Sequence, residues 1–137
     1  MNNRIVREEA FDWLEEAKMD LQRAVRSLND RDYSLSCYMS QQAIEKALKA
    51  LIIGFKHKSP PHVHDLVVLY EHVRNILRLH DNIIERLPEV SQYYVTARYP
   101  NAGLRRPSIS FSKMQAENAL EVARYVVRKV EEIFRTK

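Results

Sequence analysis

The sequence predicts an all-α protein, an up-and-down antiparallel four-helix bundle with one extra short helix. Three observations predict it. Apolar residues recur at steps of three and four along several long stretches, the mark of helices with one buried face. Nowhere do apolar and polar residues alternate as a half-buried strand requires. Only 2 glycines and 5 prolines occur in 137 residues, too few for the many tight turns of an all-β fold.

The first stretch runs from about Ile5 to Leu28. Ala10, Trp13, Leu14, Ala17, Leu21, Ala24, Val25 and Leu28 form its apolar face, and charged residues from Glu8 to Arg26 form the outer one. Asn29-Asp30-Arg31-Asp32 breaks it, and Asp30 or Asp32 can cap the next helix. That second helix spans about Tyr33 to His57. Its centre, Gln41-Gln42-Ala43-Ile44-Glu45-Lys46-Ala47-Leu48-Lys49-Ala50, has no Gly or Pro and a single β-branched residue, so it is a strong helix former. Ile44, Leu48, Leu51 and Phe55 mark its buried face; Glu45 and Lys49, acid first, flank it at the helix-supporting spacing. Ser59-Pro60-Pro61 ends the helix, because a residue before proline is pushed out of the helical region.

A third helix begins between His62 and Asp65 and carries Leu66, Val67, Leu69, Tyr70, Val73 and Leu77. Leu79-His80-Asp81-Asn82 interrupts it. A short helix, Ile83 to Tyr94, comes after the break, with Pro88 marking a kink or a first turn. Thr96 to Ser112 is the one long loop, with Pro100, Gly103 and Pro107 inside it, and long loops in compact domains are often functional. Ser112-x-x-Gln115 has capping-box spacing and opens the last helix, whose apolar residues run from Met114 through Leu120 and Val127 to Phe134.

The length suits one domain over residues 1–137. A net charge of +4 and a pI near 9.3 are modestly basic, but acids are interleaved throughout, so a solvated surface explains the balance as well as nucleic-acid contact does. The lone cysteine, Cys37, excludes an internal disulfide and reads as a small core residue. No apolar run is long enough to span a bilayer and the N-terminus lacks a signal-peptide core, so a cytoplasmic protein without membrane association is expected. His62-x-His64-Asp65 does not complete a metal set: two histidines two apart do not share a helix face, and Asp65 or His64 serves better as a helix cap. No cofactor is expected.

Five short patterns then occur in a telling order: Ala17-Lys18-Met19-Asp20-Leu21 after Trp13; Tyr33 with Ser36-Cys37-Tyr38; the Gln-Gln-Ala-x-Glu-Lys helix; His64-Asp65-Leu66; and Ala97-Arg98-Tyr99-Pro100 before the final Ala-rich helix. Each is weak alone. Together the set resembles the HEPN family (higher eukaryotes and prokaryotes nucleotide-binding domain) over nearly the whole chain, with Gln42, Glu45, Lys46, His64 and Arg98 as its motif residues. The resemblance implies a helical bundle that commonly forms a homodimer. It often implies a separately encoded minimal nucleotidyltransferase partner in a toxin–antitoxin pair.

Many members of that family are ribonucleases with an Arg and a His separated by about four to six residues, joining a phosphate-holding cation to a proton-moving imidazole. Here Arg98 has no such partner, since none of the 5 histidines lies beyond His80. Arg74 and His80 match by spacing, but in the wrong part of the chain and at a rate chance alone supplies. No catalytic residue is therefore assigned. The expectation is a binding and interaction module, with nucleotide or RNA as ligand; the alternative is a HEPN ribonuclease toxin with an atypical active site.

Candidate ligand-binding residues are Arg98 and Tyr99, with Arg105 and Arg106 adding charge in the same loop and Lys46 and Lys49 on the second helix. The competing expectation is structural. Arg98 pairs with Glu45 while Tyr99 and Pro100 pack the bundle end. Tyr93, Tyr94 and Tyr99 can stack bases or fill an interface or core.

Overall fold

The computed structural model describes residues 3–102 and 105–136, with side chains from residue 7 onward. Gly103 and Leu104, in the middle of the expected loop, lie outside the described residues. Six helices appear there: α1 (Asn3–Asn29), α2 (Tyr33–Lys56), α3 (Leu66–Glu71), α4 (Asp81–Thr96), α5 (Pro107–Ser110) and α6 (Lys113–Thr136), with no strand among the described residues.

α2 is the axis. It packs most extensively on α1, then on α6, and also against α3, α4 and α5. A helix surrounded on all sides is apolar around most of its girth, and α2 buries Cys37, Ala43, Ile44, Ala47, Leu48, Leu51, Ile52 and Ile53. Each fully buried Ile or Leu contributes about 1.5–3 kcal/mol relative to exposure. Gly54 permits the close approach of three helices, since a Cβ there would meet Ala10 Cβ at 3.2 Å and Phe134 Cε1 at 3.2 Å. Burial pushes the Cys37 thiol up to about 12, with the Glu89 charge adding to it, so this cysteine is a neutral core group.

The expected punctuation is mostly in place. Asp32 is the cap of α2, accepting from Leu35 N at 3.3 Å, and His57 closes the helix in the left-handed region (φ 52). Asp65 caps α3, accepting from Val67 N at 2.9 Å and Val68 N at 3.3 Å. Ser112 and Gln115 form the reciprocal capping box, at 3.1 and 2.8 Å.

Two lengths differ from the expectation. The third helix is short, ending at Glu71, because the chain tightens into bonds of three-residue span (His72 N to Leu69 O, Val73 N to Tyr70 O). Tyr70 secures that turn, donating to Leu77 O at 2.9 Å and accepting from Leu79 N at 3.3 Å. The fourth helix is correspondingly the long one, and it runs through Pro88, which leaves the Ile84 carbonyl without its helical donor. The long loop also contains the single helical turn of α5, opened by Pro107.

Candidate functional site

One edge of α2 carries Tyr38, Gln42, Glu45 and Lys49 at steps of three and four, so the four side chains line up on one side of the helix. Glu45 is the hub. Only 4% exposed, it accepts from Lys49 Nζ at 3.0 Å and Gln41 Nε2 at 3.2 Å, and meets His64 Nδ1 at 3.1 and 3.2 Å. Gln41 also donates to the His64 carbonyl at 3.0 Å, which ties the proline turn down onto α2. Lys49 is itself buried and lies 5.7 Å from the Trp13 ring centroid. A carboxylate with this many donors tolerates burial; a stranded one does not.

His64 leans outward from this hub. Its ring stacks on Tyr94 with centroids 3.7 Å apart and planes inclined by 15°. Tyr94 is shared, for the Arg98 guanidinium lies 4.9 Å from the same ring, 5.1 Å from that of Tyr38 and 4.8 Å from that of Tyr99. Arg98 also donates to the Tyr99 hydroxyl at 2.8 Å and to that of Tyr38 at 3.5 Å. Burial holds the Tyr38 phenol above its ordinary value even against the Arg98 charge, so it remains a neutral hydroxyl. Arg98 is exposed, and among the described residues no carboxylate forms an ion pair with it. A groove of about 500 Å³ runs past it, with Tyr38 and Leu35 on the α2 side and Pro100 and Arg106 on the loop side.

The expected Arg98–Glu45 ion pair is therefore not formed. Lys49 and His64 occupy the carboxylate, and Arg98 sits farther along, at the end of α4, where tyrosine faces rather than carboxylates receive it. The six candidate ligand-binding residues separate into distinct groups. Arg98 and Arg106 line the groove, and Tyr99 packs against Arg98. Lys46 reaches toward α1, ion-paired at 2.7 Å with Asp20, a buried carboxylate that Arg23 also meets at 2.7 Å. Lys49 is consumed by Glu45. Arg105 is exposed, and its carbonyl accepts from Asn101 N at 3.1 Å.

Of the family-motif residues, Gln42 braces the hub by donating to Gln41 Oε1 at 2.7 Å. Tyr93 leaves the aromatic cluster for the core, edge-on to Phe111 with its hydroxyl on Glu89 at 2.9 Å. Arg74 and His80 form no site: Arg74 pairs with Glu71 at 3.1 Å and His80 caps α4. Among the described residues, no group of three or more His, Cys, Asp and Glu side chains could hold a metal ion, and no helix is long and apolar enough to cross a membrane.

Reading along the chain placed Tyr38 and Asp20 in short patterns and Tyr94 among three tyrosines able to stack, but gave none of them its partner. Tyr38 and Tyr94 form the floor under Arg98, and Asp20 anchors Lys46. Tyr38 was legible as a member of the α2 stripe with Gln42 and Glu45; Tyr94 joins only through the packing of α4 against α2.

A helical domain with an acid-supported histidine and a tyrosine-mounted arginine on one edge is thus defined. The HEPN domain model matches residues 10–133, and the chain belongs to the HEPN domain family. The crystal structure of TT1696 from Thermus thermophilus superposes with a TM-score of 0.81 at 30% identity, over 90% of this chain and 97% of that one. That of ST0689, described as an archaeal HEPN homologue, gives 0.73 at 22% identity over 90% and 95%, a likeness of fold. A protein of Methanocaldococcus jannaschii named "Putative toxin MJ1304" is 26% identical over 91% of this chain and 88% of its own length.

Proposed function

We propose that this chain is the HEPN half of a two-component, toxin–antitoxin-like system: one domain over residues 1–137, working in the cytoplasm as a homodimer beside a minimal nucleotidyltransferase, and binding RNA or a nucleotide. The single observation that carries the binding is Arg98, an exposed guanidinium mounted on three tyrosine rings that enters no ion pair among the described residues. Such a fork is pre-organised for a phosphate, and half-exposed Tyr99 offers a face on which a base can stack. Family membership and the toxin-named relative support the two-component role.

Fluorescence anisotropy with labelled single-stranded RNA and with ATP analogues tests the binding. Arg98→Ala and Tyr99→Ala should each weaken it by about 1–3 kcal/mol, roughly five- to 150-fold. Wild-type affinity in both variants overturns the assignment. A minimal nucleotidyltransferase gene next to this one, whose product co-purifies with this chain, is the expected sign of the pairing; no such neighbour, or a product that elutes apart, refutes it.

A second reading, an atypical ribonuclease, is favoured by one specific observation. His64 is oriented by buried Glu45 through Nδ1, and it shares the Tyr94 ring with Arg98. A carboxylate-oriented imidazole beside a phosphate-binding cation is the equipment for moving a 2′-hydroxyl proton. RNA cleavage that is lost in both His64→Ala and Arg98→Ala would establish it. An RNA panel left intact by the wild-type protein would end it.

A further inference from the structure

A second groove, of about 780 Å³, opens between the α1–α2 turn and α6. Arg31 comes from the turn and Tyr33 is the first residue of α2; Arg124, Tyr125 and Arg128 come from α6. Arg124 and Arg128 are four apart, hence on one face and about 6 Å apart along the axis, a spacing suited to successive phosphates of an extended strand. The carboxylates that share the groove are engaged, Glu121 by Arg86 at 2.7 Å and Glu117 by Lys113 at 3.9 Å. Arg31, Arg124 and Arg128 are exposed and enter no ion pair among the described residues.

The walls are also firm. Arg31 has a left-handed backbone (φ 62) inside a turn held by Arg31 N to Leu28 O at 3.0 Å and Asp32 N to Ser27 O at 2.8 Å. The Tyr125 hydroxyl accepts from His80 N at 3.2 Å, and Arg128 lies 5.6 Å from the Tyr125 ring centroid. Only the first turn of α2 separates this groove from the one at Arg98: Tyr33 lines the first, while Asp32, Ser34 and Leu35 line the second.

We infer that the Arg31–Arg124–Arg128 groove is a second contact for single-stranded RNA, continuing round the start of α2 the path of a strand seated at Arg98. The inference rests on the RNA-binding reading of Arg98 and adds the direction and extent of the track. Cations one helical turn apart, with tyrosines between them, are how a strand is held without regard to sequence.

The test is anisotropy with a fluorescein-labelled, mixed-sequence single-stranded RNA of about 15 nucleotides, titrated at several salt concentrations. Arg124→Ala/Arg128→Ala should weaken binding roughly tenfold at low salt and flatten the log–log salt slope by about 1.4, near 0.7 per lost phosphate contact. Arg31→Ala should give about half that change in slope, and it serves alone should the double variant fail to fold by circular dichroism. Arg78→Ala/Arg135→Ala, the same charge loss at exposed sites outside both grooves, should bind as wild type. An unchanged slope in the groove variants overturns the inference, as does an equal loss in the control. Loss in Arg98→Ala alone leaves the Arg98 reading standing without this groove. Loss in the groove variants alone removes the Arg98 reading and with it the continuous track inferred here, and a wild-type protein that binds no RNA removes both.

Discussion

Glu45→Gln should be the most destabilising charge-removing substitution on the α2 edge. The carboxylate is 4% exposed and its ion-pair partner Lys49 is 7% exposed, so solvent screens neither. The substitution keeps the shape and the hydrogen-bonding oxygen but leaves the Lys49 ammonium, 3.0 Å away, buried against a neutral amide. Stranding one member of a buried pair costs about 3–5 kcal/mol, and the retained oxygen places this case near the lower figure. His64 is half exposed and adds little beyond that. For a domain of this size roughly 3–5 °C is lost per kcal/mol, so Tm should fall by about 10 °C in a calorimetric or circular-dichroism melt. Lys49→Met should cost less, because Glu45 keeps Gln41 and His64 as partners. The double variant should recover at least about 1 kcal/mol relative to additivity. A Glu45→Gln protein melting within about 2 °C of wild type, or a cycle with no coupling, would refute the buried-hub argument.

Arg98→Ala should instead abolish ligand binding at a smaller cost in stability than Glu45→Gln. Its three exposed cation–π contacts at about 0.5–1 kcal/mol each total about 1.5–3 kcal/mol. Because one guanidinium shares all three rings, the loss should fall at the low end, about 5 °C in Tm. A larger loss than that of Glu45→Gln would contradict the geometry. Cys37 should resist iodoacetamide at pH 8 in the native protein and react at once in denaturant; prompt native labelling would show that the core opens. Because its folded value is raised from 9.0 to about 12, its contribution to stability is full below pH 9 and is lost as the pH climbs toward 12. Cys37→Ala should accordingly flatten the alkaline limb of the stability curve. Sedimentation at micromolar concentration should show a symmetric dimer, and a lone 16.2 kDa species would rule it out.

What the sequence determined by itself was local. Helix faces, the proline stop after α2, the Asp65 cap and the Ser112–Gln115 box depend on residues within a few positions of one another, so spacing alone reveals them. The ordered motifs revealed the family for the same reason, being read along the chain. The partners of Arg98 were beyond that reach. Tyr38 is 60 residues away in sequence, and whether a guanidinium meets it or Glu45 depends on how α4 registers against α2. Charge complementarity favoured Glu45 on paper. Packing decided otherwise, because the turn after Pro61 lays His64 over that carboxylate and, with Lys49, fills it before Arg98 can arrive.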